Sequence, residues 1–288
     1  MKRILFLLSS LFLQQQSFSA EYTVDDSLKV VRMLLEGAKQ PSTENMVLFY
    51  AKQFADVLYG AATLEKSATE ELVVNLHRLD CTTFVETVLA LAYTTCNGSD
   101  GWDDFLFWLQ TLRYQNGIRN GYASRNHYFS QWIQNNELLE LVHESGGPTF
   151  SGVQKLDLSY MSMNPEKYPR LKEEPELVAS IRKSEEIYKG KIVRYIPTDS
   201  LNVMHNLQRE ISDGDILAFV TNKKGLDVSH LGFAVWDNEG KLHLLHASSL
   251  RKKVTFETIT LYSYLKKMPS CLGLRVIRPL CKENKNIK

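Results

Sequence analysis

The sequence predicts an α+β fold, with helices in the first part of the chain and a mostly antiparallel sheet in the last part. Three observations support this prediction. Apolar residues recur at helical spacing between residues 25 and 113, strand-like apolar runs dominate from residue 213 onward, and no repeat or long biased linker divides the 288 residues. Helices and strands that occupy separate parts of one chain are typical of α+β domains. We therefore predict one domain over residues 20–288.

The first residues have the pattern of a secretory signal peptide. Lys2 and Arg3 precede an apolar run over residues 4–13, and small residues precede a cleavage position after Ser19. An apolar helix of the folded domain is the alternative, although about ten residues are too few to span a bilayer of about 30 Å. We predict that residues 1–19 are removed and that the protein is exported, periplasmic or secreted, without stable membrane insertion afterwards.

Helical periodicity accounts for the first part of the mature chain. It predicts a helical hairpin over residues 25–60, broken at Pro41, and a short β-branched run at 72–76. A second helix is expected to begin near Cys81 and a third to cover Trp102–Arg113. These helices form the predicted N-terminal part, which packs on the sheet.

The composition then changes before the strands begin. Residues 114–147 are rich in Asn, Gly, Tyr, His and Arg, which predicts turns and the wall of a cleft, and they include an amphipathic stretch at 128–142. The remaining predicted elements are a strand at 156–160, a helix at 176–188, a strand at 192–196, and four sheet strands at 216–220, 228–236, 242–247 and 272–277.

The charge balance excludes some partners. The chain has 34 Lys and Arg against 33 Asp and Glu, a net charge of +1, and no block of five like charges. No nucleic acid partner is therefore expected. Hydrophobic residues make up 44% of the chain, which suits a folded domain with a sizeable core rather than a disordered segment.

The chain contains four cysteines, too few for a disulfide scaffold. Cys271 and Cys281 form the simplest pair by loop length. That pairing leaves Cys81 and Cys96 as thiols in an oxidising compartment, where one of them is a candidate nucleophile. No pair has the spacing of a zinc knuckle.

Cys81 is placed as a nucleophile would be. It follows Asp80, a favoured N-cap residue, at the first turn of a predicted helix. The positive end of the helix dipole and free backbone amides favour a thiolate, so we expect a lowered pKa for Cys81 and a place for an oxyanion. The alternative is a small buried residue at a helix start.

Two histidines are predicted to meet on a hairpin. A three-residue loop, Asn238-Glu239-Gly240, sets Asp237 opposite Lys241 and makes His230 and His246 diagonal neighbours on one face. A base and a polar group that orients it are the general requirement of cysteine hydrolases. The rival is a metal site, but His243 and His246 are three residues apart on a strand and point to opposite faces. We predict no metal and no cofactor.

Several ordered motifs resemble the NlpC-type cell-wall cysteine peptidases. These motifs are Leu-Asp-Cys-Thr-Thr-Phe-Val-Glu at 79–86, Asp-Gly-Asp-Ile-Leu-Ala-Phe at 213–219, Ser-His-Leu-Gly-Phe-Ala at 229–234, and His246-Ala247. Residues 78–86 together with Asn-Gly-Tyr-Ala-Ser-Arg at 120–125 and His-Tyr-Phe at 127–129 are similar to a branch of bacterial N-acetylmuramoyl-L-alanine amidases.

The resemblance implies a papain-like fold in which Cys81 is the nucleophile, His230 the base and then the acid, and His246 the orienting residue. Peptidoglycan or muropeptide fragments are the implied partners. The chain departs from the superfamily in having Thr82-Thr83 where Ser-Gly is usual, and in about four extra residues between the two histidines. A γ-D-glutamyl-diamino-acid endopeptidase and an inactive wall-fragment binding module are the alternatives to the amidase.

Substrate contacts are expected on both sides of the nucleophile. Endopeptidase relatives bind a free L-Ala amine with residues that flank the cysteine, which implies Asp80 and Thr82 here, although Asp80 also suits an N-cap. The aromatic segment supplies flat rings that suit a sugar face. Its candidates are Tyr114, Tyr122, His127 and Tyr128. Glu86 is interpreted as structural.

Overall fold

The computed structural model describes residues 19–65, 67, 69–202 and 204–281, so the predicted signal peptide lies outside the described residues apart from Ser19. The helices, in chain order, are α1 (Val24–Gly37), α2 (Met46–Gln53), α3 (Cys81–Cys96), α4 (Trp102–Arg113), α5 (Phe129–Leu138), α6 (Tyr160–Met163), α7 (Pro169–Glu173), α8 (Leu177–Glu186), α9 (Met204–Glu210) and α10 (Leu261–Leu265). None of the helices in these ranges is long and apolar enough to cross a membrane.

The strands form one large mixed sheet and a small second one. They are β1 (Ala20–Glu21), β2 (Leu58–Tyr59), β3 (Leu72–Val73), β4 (Arg78–Leu79), β5 (Val142–Glu144), β6 (Gly152–Lys155), β7 (Ile192–Pro197), β8 (Ile216–Thr221), β9 (Val228–Trp236), β10 (Leu242–Ser248), β11 (Lys253–Phe256) and β12 (Cys271–Pro279). The large sheet has the order β4-β2-β11-β10-β9-β8-β12-β7-β6, with β5 beside β12, and is antiparallel except at β2–β4. A mixed α and β fold with helices first and a mostly antiparallel sheet last is confirmed.

The central strands are buried on both faces. All residues of β8 and β10 are buried, and they read as near-continuous apolar runs. Alternate residues face two cores. In β10, Leu245 and Ala247 join the core beneath the N-terminal helices, whereas Leu242 and Leu244 join a second core with α10. The sheet therefore holds side chains on a rigid, two-sided support.

Helix α3 runs through the first core and is the best-buried helix. Every residue from 83 to 94 is buried, and the helix packs on α1, α2, α4, β9 and β10. A helix that is apolar on all sides is expected to be enclosed in this way. Glu86 is an acidic residue in this apolar helix, yet it is as buried as its neighbours. Its carboxylate accepts a hydrogen bond of 2.7 Å from Arg113 of α4, so the structural interpretation of Glu86 is confirmed.

Two sequence expectations are wrong. The predicted strand at 156–160 is replaced by β6 upstream and α6 downstream, because the amides of Ser159 and Tyr160 both donate to the Gly225 carbonyl and turn the chain out of the sheet. The disulfide joins Cys96 to Cys281, while Cys271 is a free, buried thiol. At about 3.3 Å per residue, strand β12 holds Cys271 about 30 Å from Cys281, too far for a bond.

Candidate active site

The N-terminus of α3 is fixed by a reciprocal cap. The Asp80 carboxylate accepts hydrogen bonds from the amides of Thr82 (3.1 Å) and Thr83 (2.8 Å). In return the Thr83 hydroxyl accepts from the Asp80 amide at 2.9 Å. This capping box satisfies amides that a helix start leaves unpaired, and it sets the first residue of the helix in one orientation. That first residue is Cys81.

The Cys81 thiol lies partly buried between α3 and β9. The ladder between β9 and β10 ends at Phe233 and Leu245, and beyond that point the backbone amide of Leu231 donates to the thiol. His230 directly precedes Leu231, so the thiol lies against the strand that carries this histidine. The thiol therefore sits at the opening between two strands of the sheet.

The expected lowered pKa of Cys81 is wrong. Burial raises the pKa of the Cys81 thiol to about 12, and the negative charge of Asp80 adds to this effect. The Leu231 and Cys81 amides and the Thr82 side chain act in the opposite direction but are outweighed. Loss of hydration disfavours the charged form of a thiol more than a helix start favours it here. The resting sulfur is a neutral thiol.

His230 and His246 are in direct contact. His230 Nε2 lies 2.6 Å from His246 Nδ1. The three-residue hairpin loop is confirmed, since Asp237 donates its amide to the Lys241 carbonyl at 2.9 Å and Trp236 pairs with Leu242. This register was the basis for predicting that the two rings touch.

Gly232 lies between the two histidines and has to be glycine. A Cβ atom built at this position would lie 2.8 Å from the Cβ of His246 and 3.0 Å from the Leu245 carbonyl oxygen. Both atoms belong to a buried strand that cannot move aside. A larger residue at 232 would therefore displace His246 from His230.

Burial keeps both imidazoles neutral. It lowers the pKa of His230 to about 3, and the neighbouring His246 contributes in the same direction. Burial also lowers the pKa of His246, although the Glu257 carboxylate opposes this shift. A neutral imidazole beside a neutral thiol can accept its proton when the thiol reacts.

Glu257 was missed by the sequence analysis. It follows β11, it is 3% exposed, and its Oε1 lies 3.3 Å from His246 Nε2. Its other oxygen lies 3.4 Å from Nη2 of Arg251, whose side chain is exposed. The signal that could have found it is the short alternating run of β11, which pairs with β10 beside His246.

The other histidine of β10 belongs to a different environment. His243 Nε2 lies 3.0 Å from the Asp237 carboxylate, and its Nδ1 lies 3.0 Å from the Glu257 carbonyl. These hydrogen-bond partners are not the His230–His246 pair, as expected for residues on opposite faces of β10. In the described part of the chain, no three His, Cys, Asp or Glu side chains group as metal ligands would.

Asp80 and Thr82 flank Cys81, but the aromatic candidates are not surface residues. Tyr114 is 0% exposed, and Tyr122 and Tyr128 are each 2% exposed. A ring without an exposed face cannot stack on a sugar, so the expectation that these three rings line a cleft is corrected.

The hydroxyls of two of these tyrosines are used inside the protein. Tyr114 donates to Glu70 at 2.7 Å, and Tyr128 donates to Glu185 at 2.6 Å. His127 is partly buried, its Nε2 donates to the Tyr122 carbonyl at 2.8 Å, and burial lowers its pKa to about 3. The polar groups of Tyr114, Tyr128 and His127 thus bind other parts of the protein, and they stabilise the segment instead of facing a substrate.

The same segment anchors the loop between β2 and β3. Arg125 bonds Glu65 and Glu70 at 2.6 Å each, and its guanidinium lies over the Tyr122 ring. The loop that carries these glutamates leaves β2, which pairs with β4 immediately before Asp80. The motif at 120–125 is thus tied to the loop between β2 and β3.

A large cavity among the described residues lies away from these side chains. It has a volume of about 840 Å³ and surrounds the far end of α3, where Cys96, Cys281 and Arg278 contribute to its lining. None of Cys81, His230 and His246 lines it. We therefore locate the candidate site by its chemistry rather than by cavity size.

A cysteine at a helix start, beside a pair of hydrogen-bonded histidines on a sheet, defines a hydrolase-like site. The family model described as AmiA-like, N-acetylmuramoyl-L-alanine amidase-like, matches residues 50–274. The chain belongs to this family. No curated protein matches it significantly.

Solved structures share this fold along most of the chain. An N-acetylmuramoyl-L-alanine amidase from Bacteroides uniformis is 38% identical, with a TM-score of 0.76, and the match covers 85% of this chain and 99% of that one. A Bacteroides fragilis protein described as a proposed xylanase is 43% identical, with a TM-score of 0.74 and coverage of 80% and 98%. A Legionella pneumophila protein, LPG0564, is 21% identical, with a TM-score of 0.67 and coverage of 90% and 97%, and shows the fold alone.

Proposed function

We propose that the protein is a peptidoglycan hydrolase, a cysteine-dependent N-acetylmuramoyl-L-alanine amidase. It cleaves the amide between the muramoyl lactyl group and L-Ala of the stem peptide. The observation that carries this proposal is the 2.6 Å contact between His230 and His246, beside the capped Cys81, in a chain of the amidase-like family. Cys81 is the nucleophile, His230 the base and His246 its orienting residue.

The proposed reaction proceeds in two halves. His230 removes the proton of the Cys81 thiol as the sulfur attacks the lactyl carbonyl carbon, and the Cys81 amide, which does not donate to Asp80 as the next three amides do, hydrogen-bonds to the oxygen that becomes negative. His230 then gives the proton to the nitrogen of L-Ala, the C–N bond breaks, and a thioester remains. Water, deprotonated by His230, hydrolyses the thioester and regenerates the thiol. No cofactor takes part.

A neutral resting pair fits this scheme. Because Cys81 and His230 are both buried, an ion pair would lack hydration before the substrate binds. Proton transfer is therefore coupled to attack instead of preceding it. The fold class proposed with this mechanism is the papain-like fold of the NlpC superfamily, which the helix-borne cysteine and the sheet-borne histidines support.

Export to the periplasm or the exterior is part of the proposal. The N-terminal pattern of residues 1–19 supports it, and so does the disulfide between Cys96 and Cys281, because such bonds persist mainly in oxidising compartments. The partners proposed are peptidoglycan or its muropeptide fragments. Asp80 and Thr82 are proposed to contact the substrate beside the nucleophile.

Glycoside hydrolysis is not favoured by an observation at this site. It needs two carboxyl groups that face the scissile bond from two sides. The two carboxylates in contact with the candidate site are otherwise used, since Asp80 caps α3 and Glu257 lies buried behind His246. The γ-D-glutamyl endopeptidase remains the alternative of the same chemistry.

Product analysis tests the proposal. A disaccharide-tripeptide of known structure is incubated with the enzyme and with Cys81→Ala, and the products are identified by mass spectrometry. We expect an intact L-Ala-γ-D-Glu-diamino acid peptide, no product with the variant, and no cleavage of that peptide supplied without its sugar. Release of L-Ala-D-Glu would assign the endopeptidase activity instead, and cleavage of xylan oligosaccharides would assign a glycosidase.

A further inference from the structure

A buried carboxylate lies directly behind the histidine pair. Glu257 Oε1 is 3.3 Å from His246 Nε2, and the other ring nitrogen of His246 is 2.6 Å from His230. The residue is almost without exposure, so its charge is not screened by water. The other groups that face it are Arg251, whose Nη2 is 3.4 Å away, and the nearby Tyr264 ring.

This chain of contacts permits one arrangement of protons when both rings are neutral. A carboxylate only accepts hydrogen bonds, whereas a neutral imidazole has one N–H and one lone pair. His246 must therefore carry its proton on Nε2 and present the lone pair of Nδ1. The short contact then requires a proton on His230 Nε2.

The consequence concerns the nitrogen that faces the reaction. With Nε2 of His230 protonated and bonded to His246, its Nδ1 is left without a proton. Nδ1 is also the one ring nitrogen of His230 not engaged by His246, so it is the nitrogen available to Cys81. In the reverse arrangement, His230 would carry its proton on Nδ1, and His246 would turn the lone pair of Nε2 towards the Glu257 carboxylate. Two acceptors would then face each other, which is repulsive.

We propose that Glu257 is a positioning residue that acts through His246 to hold His230 in the tautomer able to take the thiol proton. The role rests on the proposed function, because it assumes that His230 is the base. It differs from a purely structural role, in which the carboxylate would only neutralise Arg251. Since the Arg251 side chain is 62% exposed, solvent can take the place of that ion pair.

The substitution Glu257→Gln tests this role with little change in shape. Its amide oxygen is expected to face the Arg251 Nη2 donor, so its NH2 group faces and donates to His246 Nε2. This reverses the chain of donors and puts a proton on Nδ1 of His230. We expect kcat to fall by at least about tenfold, with KM within about twofold of wild type. Histidine nitrogen chemical shifts, measured by NMR without substrate, should show protonated Nε2 on both rings in the wild type and protonated Nδ1 on His230 in the variant.

A matched control exists on the same hairpin. Asp237 bonds His243, so Asp237→Asn makes the same chemical change to a carboxylate–histidine pair on the other face of β10. We expect its kcat to stay within about twofold of wild type. The proposal is overturned if Glu257→Gln keeps the wild-type kcat, or if wild-type His230 carries its proton on Nδ1.

The wild-type measurement separates the two proposals. It needs neither a substrate nor a folded variant, so it decides the tautomer even if Glu257→Gln fails to fold. If the enzyme cleaves another bond of the stem, the proposed function fails while the nitrogen shifts still decide the role of Glu257.

Discussion

The two ends of α3 carry the same residue type in opposite roles. At the first residue, Cys81 is a free thiol that accepts a hydrogen bond from the amide of Leu231, the residue after His230. At the last residue, Cys96 is bonded to Cys281, whose Cα lies 5.8 Å away. Between them every residue from 83 to 94 is buried, so the helix is held in place along its length.

The chemical role of each cysteine is therefore determined by the groups around its sulfur. At the first end a sulfur meets hydrogen-bond donors and a possible base, whereas at the other end it meets a second sulfur at bonding distance. Chemistry and covalent stabilisation are thus separated by about four turns of one buried helix, each turn having about 3.6 residues. Substitutions at the two ends should therefore affect different measurements.

The largest effect is expected at the first end. Cys81→Ala removes the one atom that attacks the substrate but little packing, so we expect activity to fall by more than about 10⁴-fold with an unchanged melting temperature. Hydrolysis of a muropeptide and thermal unfolding by circular dichroism are the measurements.

The other free cysteine provides the control for this substitution. Cys271→Ala lies in β12, away from His230, and should keep the wild-type rate. Iodoacetamide should inactivate the wild type and EDTA should not. If EDTA abolished activity and zinc restored it, the thiol mechanism would be refuted in favour of metal-assisted hydrolysis.

The first end was predictable from the sequence because its signals are local. Asp80 marked a helix start, and the loop at 238–240 fixed the register that brings His230 to His246. The order of helices and strands follows from the same short-range periodicities. Elements that depend on residues distant in the chain were not predicted. Helix α6 is an example, because the Tyr160 amide donates to the Gly225 carbonyl and turns the chain there.

The second end was not predictable because its partners are far apart in the chain. Cys96 and Cys281 are separated by 185 residues, and no local pattern records that α3 and the chain after β12 meet. Burial is likewise a tertiary property. The exposure of Tyr114 and the pKa of Cys81 both depend on the residues that bury these side chains. The sequence indicates what a tyrosine or a cysteine can do, but it does not indicate how deeply either is buried.

The next largest effect is expected from the second end. The double variant Cys96→Ser, Cys281→Ser opens a long loop, and we expect the free energy of unfolding to fall by about 2 to 4 kcal/mol in urea titrations. The rate at 25 °C should stay within about twofold of wild type. A slower enzyme of unchanged stability would contradict the separation of roles between the two ends.

A smaller effect concerns pH at the first end. Since the pKa of His230 is lowered to about 3, the base remains unprotonated at pH 5, whereas an ordinary histidine with a pKa of about 6.5 would be only about 3% unprotonated there. The activity lost on acidification should therefore be lost below pH 5. A profile of kcat/KM between pH 4 and 8 should show no acidic limb centred within that range. A midpoint near 6.5 would show that His230 is hydrated in solution.

The smallest effect concerns the capping boxes at the starts of α3 and α1. Thr83 completes the capping box of α3, and Thr23 completes a similar box at the start of α1, where its hydroxyl accepts from the Asp26 amide at 3.1 Å. Replacing either threonine by valine should lower the free energy of unfolding by about 1 kcal/mol, because each variant loses the hydrogen bond that the threonine hydroxyl accepts in its capping box. Only Thr83→Val should also lower kcat, by roughly tenfold, since Cys81 then loses the fixed turn that aims its sulfur. Equal rates in the two variants would mean that the cap stabilises α3 without orienting the nucleophile.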